Sequence, residues 1–398
     1  MCCLNKLLKT MCPNGVHYKK IKDSIHAYRG SRVTKSMLVE GGKYDVYHGS
    51  KDTILGKYNY FNVPSHTTII VNTGGIGGVK YLEKDFWCSD GSFWLGKVDY
   101  LNSKFVYYYL SMFENYFMSK KRIAGVPTID KSVIDNFEIP IPPIEVQCEI
   151  VRILDNFTEL TAELTAELTA RKKQYDYYKQ LCFDSLKKYP IKHIIDIALV
   201  KARVGWQRLT TAEYLNEGDY FLITGTNFVN GGLIDFGSCV YVSKERYEMD
   251  ENIQVHKNDI LITKDGTLGK VAFLDKEPSK LTTLNSGVFR IKITDKNVLP
   301  RFIYHFFTSK YFKDFVESVK TGSTIPHLTQ QGLLTLNIPI PSLAEQQRIV
   351  DILDKFDSYC NDITKGLPAE IEARKKQYEY YREKLLTFNR LDESTKIN

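Results

Sequence analysis

The chain has 398 residues, 43% hydrophobic and 25% charged, with a formal net charge of +7. That is enough sequence for two or more domains with separate cores, and a basic balance suits a polyanionic partner without demanding one. No apolar run approaches the roughly 18 residues of a membrane-spanning helix, and the first residues, MCCLNKLLKTMC, are broken by Lys6 and Lys9 and do not read as a signal peptide.

The eight cysteines include no CxxC pair and bracket no suitable pair of histidines, so a zinc site is not expected. Scattered free thiols in a chain of this size point to a reducing, cytoplasmic setting.

In chain order, the first strand-like element is Gly42-Lys-Tyr-Asp-Val-Tyr-His-Gly; a similar run, Gly218-Asp-Tyr-Phe-Leu-Ile-Thr-Gly, follows 176 residues later. Residues 66–82 predict strand, glycine-rich turn, strand, and so do residues 256–274, with Gly75 and Gly78 set against Gly266 and Gly269. Helix-like aromatic runs come next, from Phe105 and from Phe302. Then Gly125-Val-Pro-Thr-Ile recurs as Thr324-Ile-Pro-His-Leu, 199 residues on.

The strongest repeat closes each half. FEIPIPPIEVQCEIVRILDNF from Phe137 and LNIPIPSLAEQQRIVDILDKF from Leu336 are identical at 11 of 21 positions, and RKKQYDYY from Arg171 matches RKKQYEYY from Arg374 at seven of eight. Proline lacks an N–H and restricts its predecessor, so each IPIP ends a domain rather than continuing a helix. Apolar residues then recur at three- and four-residue steps: Ile150, Ile153, Leu154, Phe157, Leu160, Leu164 and Leu168, echoed by Ile349, Ile352, Leu353, Phe356 and Ile363. This predicts a long helix from Ile144 and a second one broken near Gly366-Leu367-Pro368. A narrow stripe on each predicts an antiparallel coiled coil, the alternative being two amphipathic helices folded on their own domains.

The expected fold is α+β: two similar mixed α/β domains joined by two long helices packed as an antiparallel coiled coil with pseudo-twofold symmetry. The expected boundaries are 1–143, 144–189, 190–342 and 343–398.

These blocks, with the segment Thr321–Thr329 and the run TELTAELTAELTA from Thr158, resemble the specificity (S) subunits of type I restriction–modification systems. The run resembles the TAEL repeats of the type IC subgroup. The resemblance covers essentially the whole chain. It implies a non-catalytic targeting subunit whose two target-recognition domains each read half of a bipartite, asymmetric site in double-stranded DNA. It further implies that the helices set the gap and dock two methyltransferase (M) subunits, with restriction (R) subunits joining the complex. S-adenosylmethionine, ATP and magnesium would then bind those partners and no cofactor this chain.

The residues agree on what is missing. There is no Asn/Asp-Pro-Pro-Phe/Tyr motif, no GxxxxGK[ST] loop and no Asp-x-Lys or Glu-x-Lys triplet. A different class of function, a cytoplasmic coiled-coil scaffold that binds no DNA, would fit the helices alone. Four added residues rotate a helix by about 40°, close to the roughly 35° of one base pair. Each TAEL unit is therefore expected to match about one base pair of spacer, against the alternative of neutral repeat slippage.

Base reading needs donors and acceptors at base edges, and affinity needs cations near phosphates. Candidates in the first domain are Arg29, Arg32, Thr73, Lys80, Lys120, Lys121 and Arg122. Those in the second are Arg203, Gln207, Arg208, Lys264, Lys270, Lys320, Thr321, Ser323 and His327, with Trp206 either a reader or a core residue. His327 stands where the first copy has Thr128, which marks base choice or simple packing. Phe157, Leu160, Leu164, Leu168 and Phe356 are the candidate helix and M-subunit interface.

Overall fold

A computed structural model describes residues 2–123, 125–204, 209–229, 231–322, 326–362 and 365–391, with the backbone alone at Cys2 and Cys3. The chain divides into two units, Met1–Ala162 with Ala373–Asn398, and Glu163–Glu372.

The first unit contains β1 (His17–Lys20), β2 (Ala27–Arg29), β3 (Tyr44–Tyr47), β4 (Gly56–Tyr58), β5 (Thr67–Val71), β6 (Val79–Leu82), β7 (Trp87–Cys88), β8 (Ser92–Leu95) and β9 (Glu138–Ile141). They assemble as an antiparallel sheet β2-β8-β5-β6, a sheet β4-β3-β7 with β3 and β7 parallel, and the pair β1-β9. The second unit contains β10 (Ile191–His193), β11 (Ala198–Lys201), β12 (Tyr220–Ile223), β13 (Phe228–Val229), β14 (Leu233–Ile234), β15 (Val240–Tyr241), β16 (Ile260–Thr263), β17 (Val271–Phe273), β18 (Leu281–Leu284), β19 (Val288–Ile293) and β20 (Asn337–Pro339). Their orders are β11-β19-β16-β17, β15-β12-β18 with β12 and β18 parallel, β10-β20 and the added hairpin β13-β14. The topology of one unit is that of the other. β3 and β12 lie at the 176-residue offset read from the sequence, and β5 and β16 are β-branched-rich runs buried on both faces.

The glycine turns need a correction of register. Gly77 N–H donates to Val71 O and Gly269 N–H to Thr263 O, both at 2.9 Å. The positive-φ pairs are therefore Gly74/Gly77 (+74° and +83°) and Gly266/Gly269 (+69° and +73°), one residue off the match of Gly75 and Gly78. Gly74 has no room for a side chain, since a Cβ there would lie 2.6 Å from Gly49 O.

A single helix runs from Ile144 to Asp184. Its TAEL stretch is rich in good helix formers, and the hydroxyls of Thr158, Thr161 and Thr169 fold back on carbonyls four residues earlier. The second helical stretch is broken, as expected, into Leu343–Asn361 and Leu367–Leu386. In the second unit Tyr175 and Tyr178 stack on Phe356 at 5.9 and 5.5 Å, while Arg171 lies 5.9 Å over the Tyr359 ring. Rising numbers meet falling ones, so these helices pack antiparallel. In the first unit Phe157 stacks on Tyr381 at 5.3 Å. Leu160, Leu164 and Leu168 are half-buried.

Each α/β fold is seated on its helix by the same two latches. Gln147, fully buried, donates through Nε2 to Tyr100 O (3.0 Å) and Pro142 O (2.7 Å) and accepts from Asn102 N–H (2.7 Å). Gln346 repeats this with Asn297 O (2.8 Å), Pro341 O (2.9 Å) and Leu299 N–H (2.8 Å). Further along, Asp155 takes the Tyr108 hydroxyl at 2.5 Å and the Lys104 ammonium at 3.0 Å. Asp354, 199 residues later, takes His305 Nε2 at 2.6 Å and Arg301 Nε at 2.8 Å. These latches explain the Gln and Asp in the repeated IPIPxxxxQxxIVxILDxF block.

Candidate nucleic-acid interface

The turn between β5 and β6 is held from below by Glu114, which accepts from Val79 N–H at 2.9 Å and pairs with Lys51 at 2.6 Å. Beside it, a loop closes where Arg122 N–H donates to Thr128 O at 2.8 Å. Turn and loop are clasped together: Thr73 bridges Thr128, and Asn72 Oδ1 accepts from Ile129 N–H at 2.9 Å. Between them opens a cleft of about 490 Å³ whose lining includes Lys51, Asp52, Gly75, Asn115, Lys121 and Pro127.

The second unit builds the same clasp from other side chains. Thr321 and His327 exchange backbone bonds of 2.9 and 2.8 Å, and Leu328 N–H donates to Lys264 O at 3.0 Å. Here His327 Nδ1 meets Asp265 Oδ1 at 2.5 Å. The backbone bonds put Asp265 where the first unit has Thr73 and His327 where it has Thr128. A hydroxyl-bearing pair in one copy is an ionisable pair in the other at matching positions, although the bond from Ile129 N–H goes to the Asn72 side chain and that from Leu328 N–H to the Lys264 backbone carbonyl.

The structure brings Thr73, Lys120, Lys121 and Arg122 to one edge of the first unit, and Lys264, Thr321 and His327 to the matching edge of the second. Arg122 lies 3.3 Å from Asp130, and Lys320 pairs with Glu317. Lys270 is exposed at the far end of its turn. Three candidates lie elsewhere. Lys80 sits 5.0 Å over the Tyr47 ring, Arg29 Nε donates to Asp90 O at 3.2 Å, and Arg32 is exposed outside the clasp.

Arg203 is a correction. Its side chain is only 2% exposed, with Nε on Leu284 O at 2.9 Å and a terminal nitrogen on Thr283 Oγ1 at 3.2 Å. Sealed against β18, it braces the sheet and cannot reach a phosphate. Trp206, Gln207, Arg208 and Ser323 lie outside the described residues. Sequence reasoning missed Asp265, whose only signal was its place one residue before Gly266, and it missed the exposed Ile123 and Val126.

Among the described residues, no group of three or more His, Cys, Asp and Glu could hold a metal ion, and no helix is long and apolar enough to cross a membrane. Burial pushes the Cys88 and Cys239 thiols up to about 12, which leaves both as inert core groups.

A doubled α/β fold on paired helices, whose two clasps carry different side chains at matching positions, is the architecture of a modular two-part subunit. The type I restriction modification DNA specificity domain matches the chain twice, over residues 13–171 and 187–373, and the chain belongs to that family. It is 36% identical over 301 residues to the EcoR124I/EcoR124II specificity subunit of Escherichia coli, spanning 72% of this chain and 70% of that protein. It is 33% identical over 323 residues to a Haemophilus influenzae protein whose name assigns it to the type I restriction enzyme specificity subunits, spanning 78% and 79%. The S subunit structure of a type I system from M. genitalium shares the fold at a TM-score of 0.59 and 19% identity, over 94% and 96% of the two chains. The chain is a DNA specificity subunit of this class, and the scaffold reading is set aside.

Proposed function

We propose that each unit reads one half of a bipartite, asymmetric site in double-stranded DNA, the clasp entering a groove. One observation carries this: a similar turn-and-loop clasp closes in each unit and bears different polar residues at matching positions, Thr73 and Thr128 in the first, Asp265 and His327 in the second. Asp265 occupies the Nδ1 side of His327, which turns Nε2 into the ring atom that can meet a base edge. Lys120, Lys121 and Lys270 neutralise phosphates and set register.

The chain is the non-catalytic, type IC-like targeting component of a cytoplasmic complex. Two M subunits dock on the helices around Phe157, Leu160, Leu164, Leu168 and Phe356 and methylate adenine N6 with S-adenosylmethionine. R subunits join to use ATP and magnesium, while the S chain holds no cofactor.

The test is methylome sequencing of a restriction-deficient host expressing this chain with its cognate M subunit. The expected result is a new bipartite N6-methyladenine motif in which His327→Ala or Asp265→Asn alters one half alone. A stable complex with M that methylates no motif, or a change in both halves, overturns the reading.

A further inference from the structure

The loop closed by Arg122 and Thr128 carries the two most exposed large apolar side chains among the described residues, Ile123 at 78% and Val126 at 74%. Between their positions Gly125 turns the chain at φ +80°. Nothing in the first unit's core needs these side chains, and two β-branched residues at a loop tip are costly to leave in water. Their setting selects a partner. Lys120 and Lys121 stand exposed at the base of the loop, beside Arg122 with its Asp130 partner at 3.3 Å, so the flank of the tip is cationic and suits a polyanion. In the major groove the only apolar group on a base edge is the thymine C5-methyl, and the groove admits an element the width of a two-stranded ribbon.

We infer that Ile123 and Val126 grip a thymine methyl in the half-site read by the first unit. This rests on the DNA-reading role above and adds to it a named specificity contact and a required A·T pair. The second unit lacks the device as a pair, because the residues at the 199-residue offset are Gly322 and Ile325. The paired grip is therefore expected in the half of the site read by the first unit.

The test uses the full chain in complex with its M subunit, on duplexes carrying the motif found by methylome sequencing. Thymines are replaced by deoxyuridine, which deletes only the methyl, first in one half-site and then in the other. In the half assigned to the first unit by Thr73 substitutions, binding should weaken about fourfold per gripped methyl, from roughly 0.8 kcal/mol per buried carbon. Ile123→Ala/Val126→Ala should bind the thymine duplex as weakly as wild type binds the deoxyuridine duplex and no longer distinguish the two. An unchanged response to the second half-site shows that the variant is folded.

Equal affinity of wild type for both duplexes, discrimination that survives in the variant, or a first half-site with no thymine on either strand overturns the inference. Each of those outcomes leaves the bipartite motif standing, whereas loss of sequence-specific methylation altogether would indict the DNA-reading role itself.

Discussion

Replacing Gln147 with Leu keeps the volume of the buried latch and deletes its polar atoms. Asn102 N–H loses its acceptor, and Tyr100 O and Pro142 O each lose a donor. Only the bond to Pro142 O is fully buried, those of Tyr100 and Asn102 being partly open to water; with a buried polar group left unpaired costing about 1–3 kcal/mol, the substitution should destabilise the first unit by about 2–3 kcal/mol. For a body of this size each kcal/mol moves the melting midpoint by about 2–4 °C, and the expected loss is about 4–12 °C. The more local readout is hydrogen exchange of the Asn102 amide in the complex with M. Protection lost to the extent of about 3 kcal/mol accelerates that amide by about 100-fold, while Leu299, served by Gln346, should be unaffected. Gln346→Leu should give the reciprocal pattern. An Asn102 amide that stays protected in Gln147→Leu, with a midpoint within about 1 °C of wild type, would refute the latch.

Four further outcomes follow from the same geometry. Lys179 lies 4.0 Å from the Tyr175 ring centre and donates to Thr308 Oγ1 at 3.0 Å, and burial pushes its pKa down from 10.5 to about 8. The unfolded chain therefore holds this proton more tightly between about pH 8 and 10.5. The second unit should gain up to about 3 kcal/mol across that window, and urea midpoints for Lys179→Met should lack the slope and be higher at pH 7. Arg203→Met should lower thermal stability while leaving the salt dependence of DNA binding intact; Lys270→Gln should reduce the log–log salt slope by about one and leave stability alone. Deleting Thr161–Leu164 should shorten the spacer of the methylated motif by about one base pair, given the matched rotations of helix and duplex; altered half-sites at constant spacing would contradict it.

Much of the architecture was legible because it is written twice. The offset of 176 residues located β3 and β12, and the IPIP blocks located the starts of the long helices, because proline and apolar periodicity act locally. The match of the two glycine turns was one residue out because letters alone do not say which glycine takes positive φ; the bonds from Gly77 N–H to Val71 O and from Gly269 N–H to Thr263 O set the register. Arg203 misled for a related reason. An arginine in a basic stretch looks like a phosphate contact until β18 is seen to offer its carbonyl and hydroxyl in the interior. Gln147 and Gln346 were visible as identities, yet their role depends on three backbone groups brought together only by folding. Ile123 and Val126 escaped notice because exposure is not a property of a sequence.

Asp155 and Asp354 occupy equivalent places, yet one is satisfied by Lys104 and Tyr108 and the other by Arg301 and His305. What the carboxylate asks for is two donors one helical turn apart, not a particular pair of side chains. Such a socket is indifferent to the plug's detail. A foreign reading head that ends in IPIP and offers any two donors at that spacing should seat on the same helix, so the site's vocabulary can be replaced wholesale without redesigning the frame that holds it.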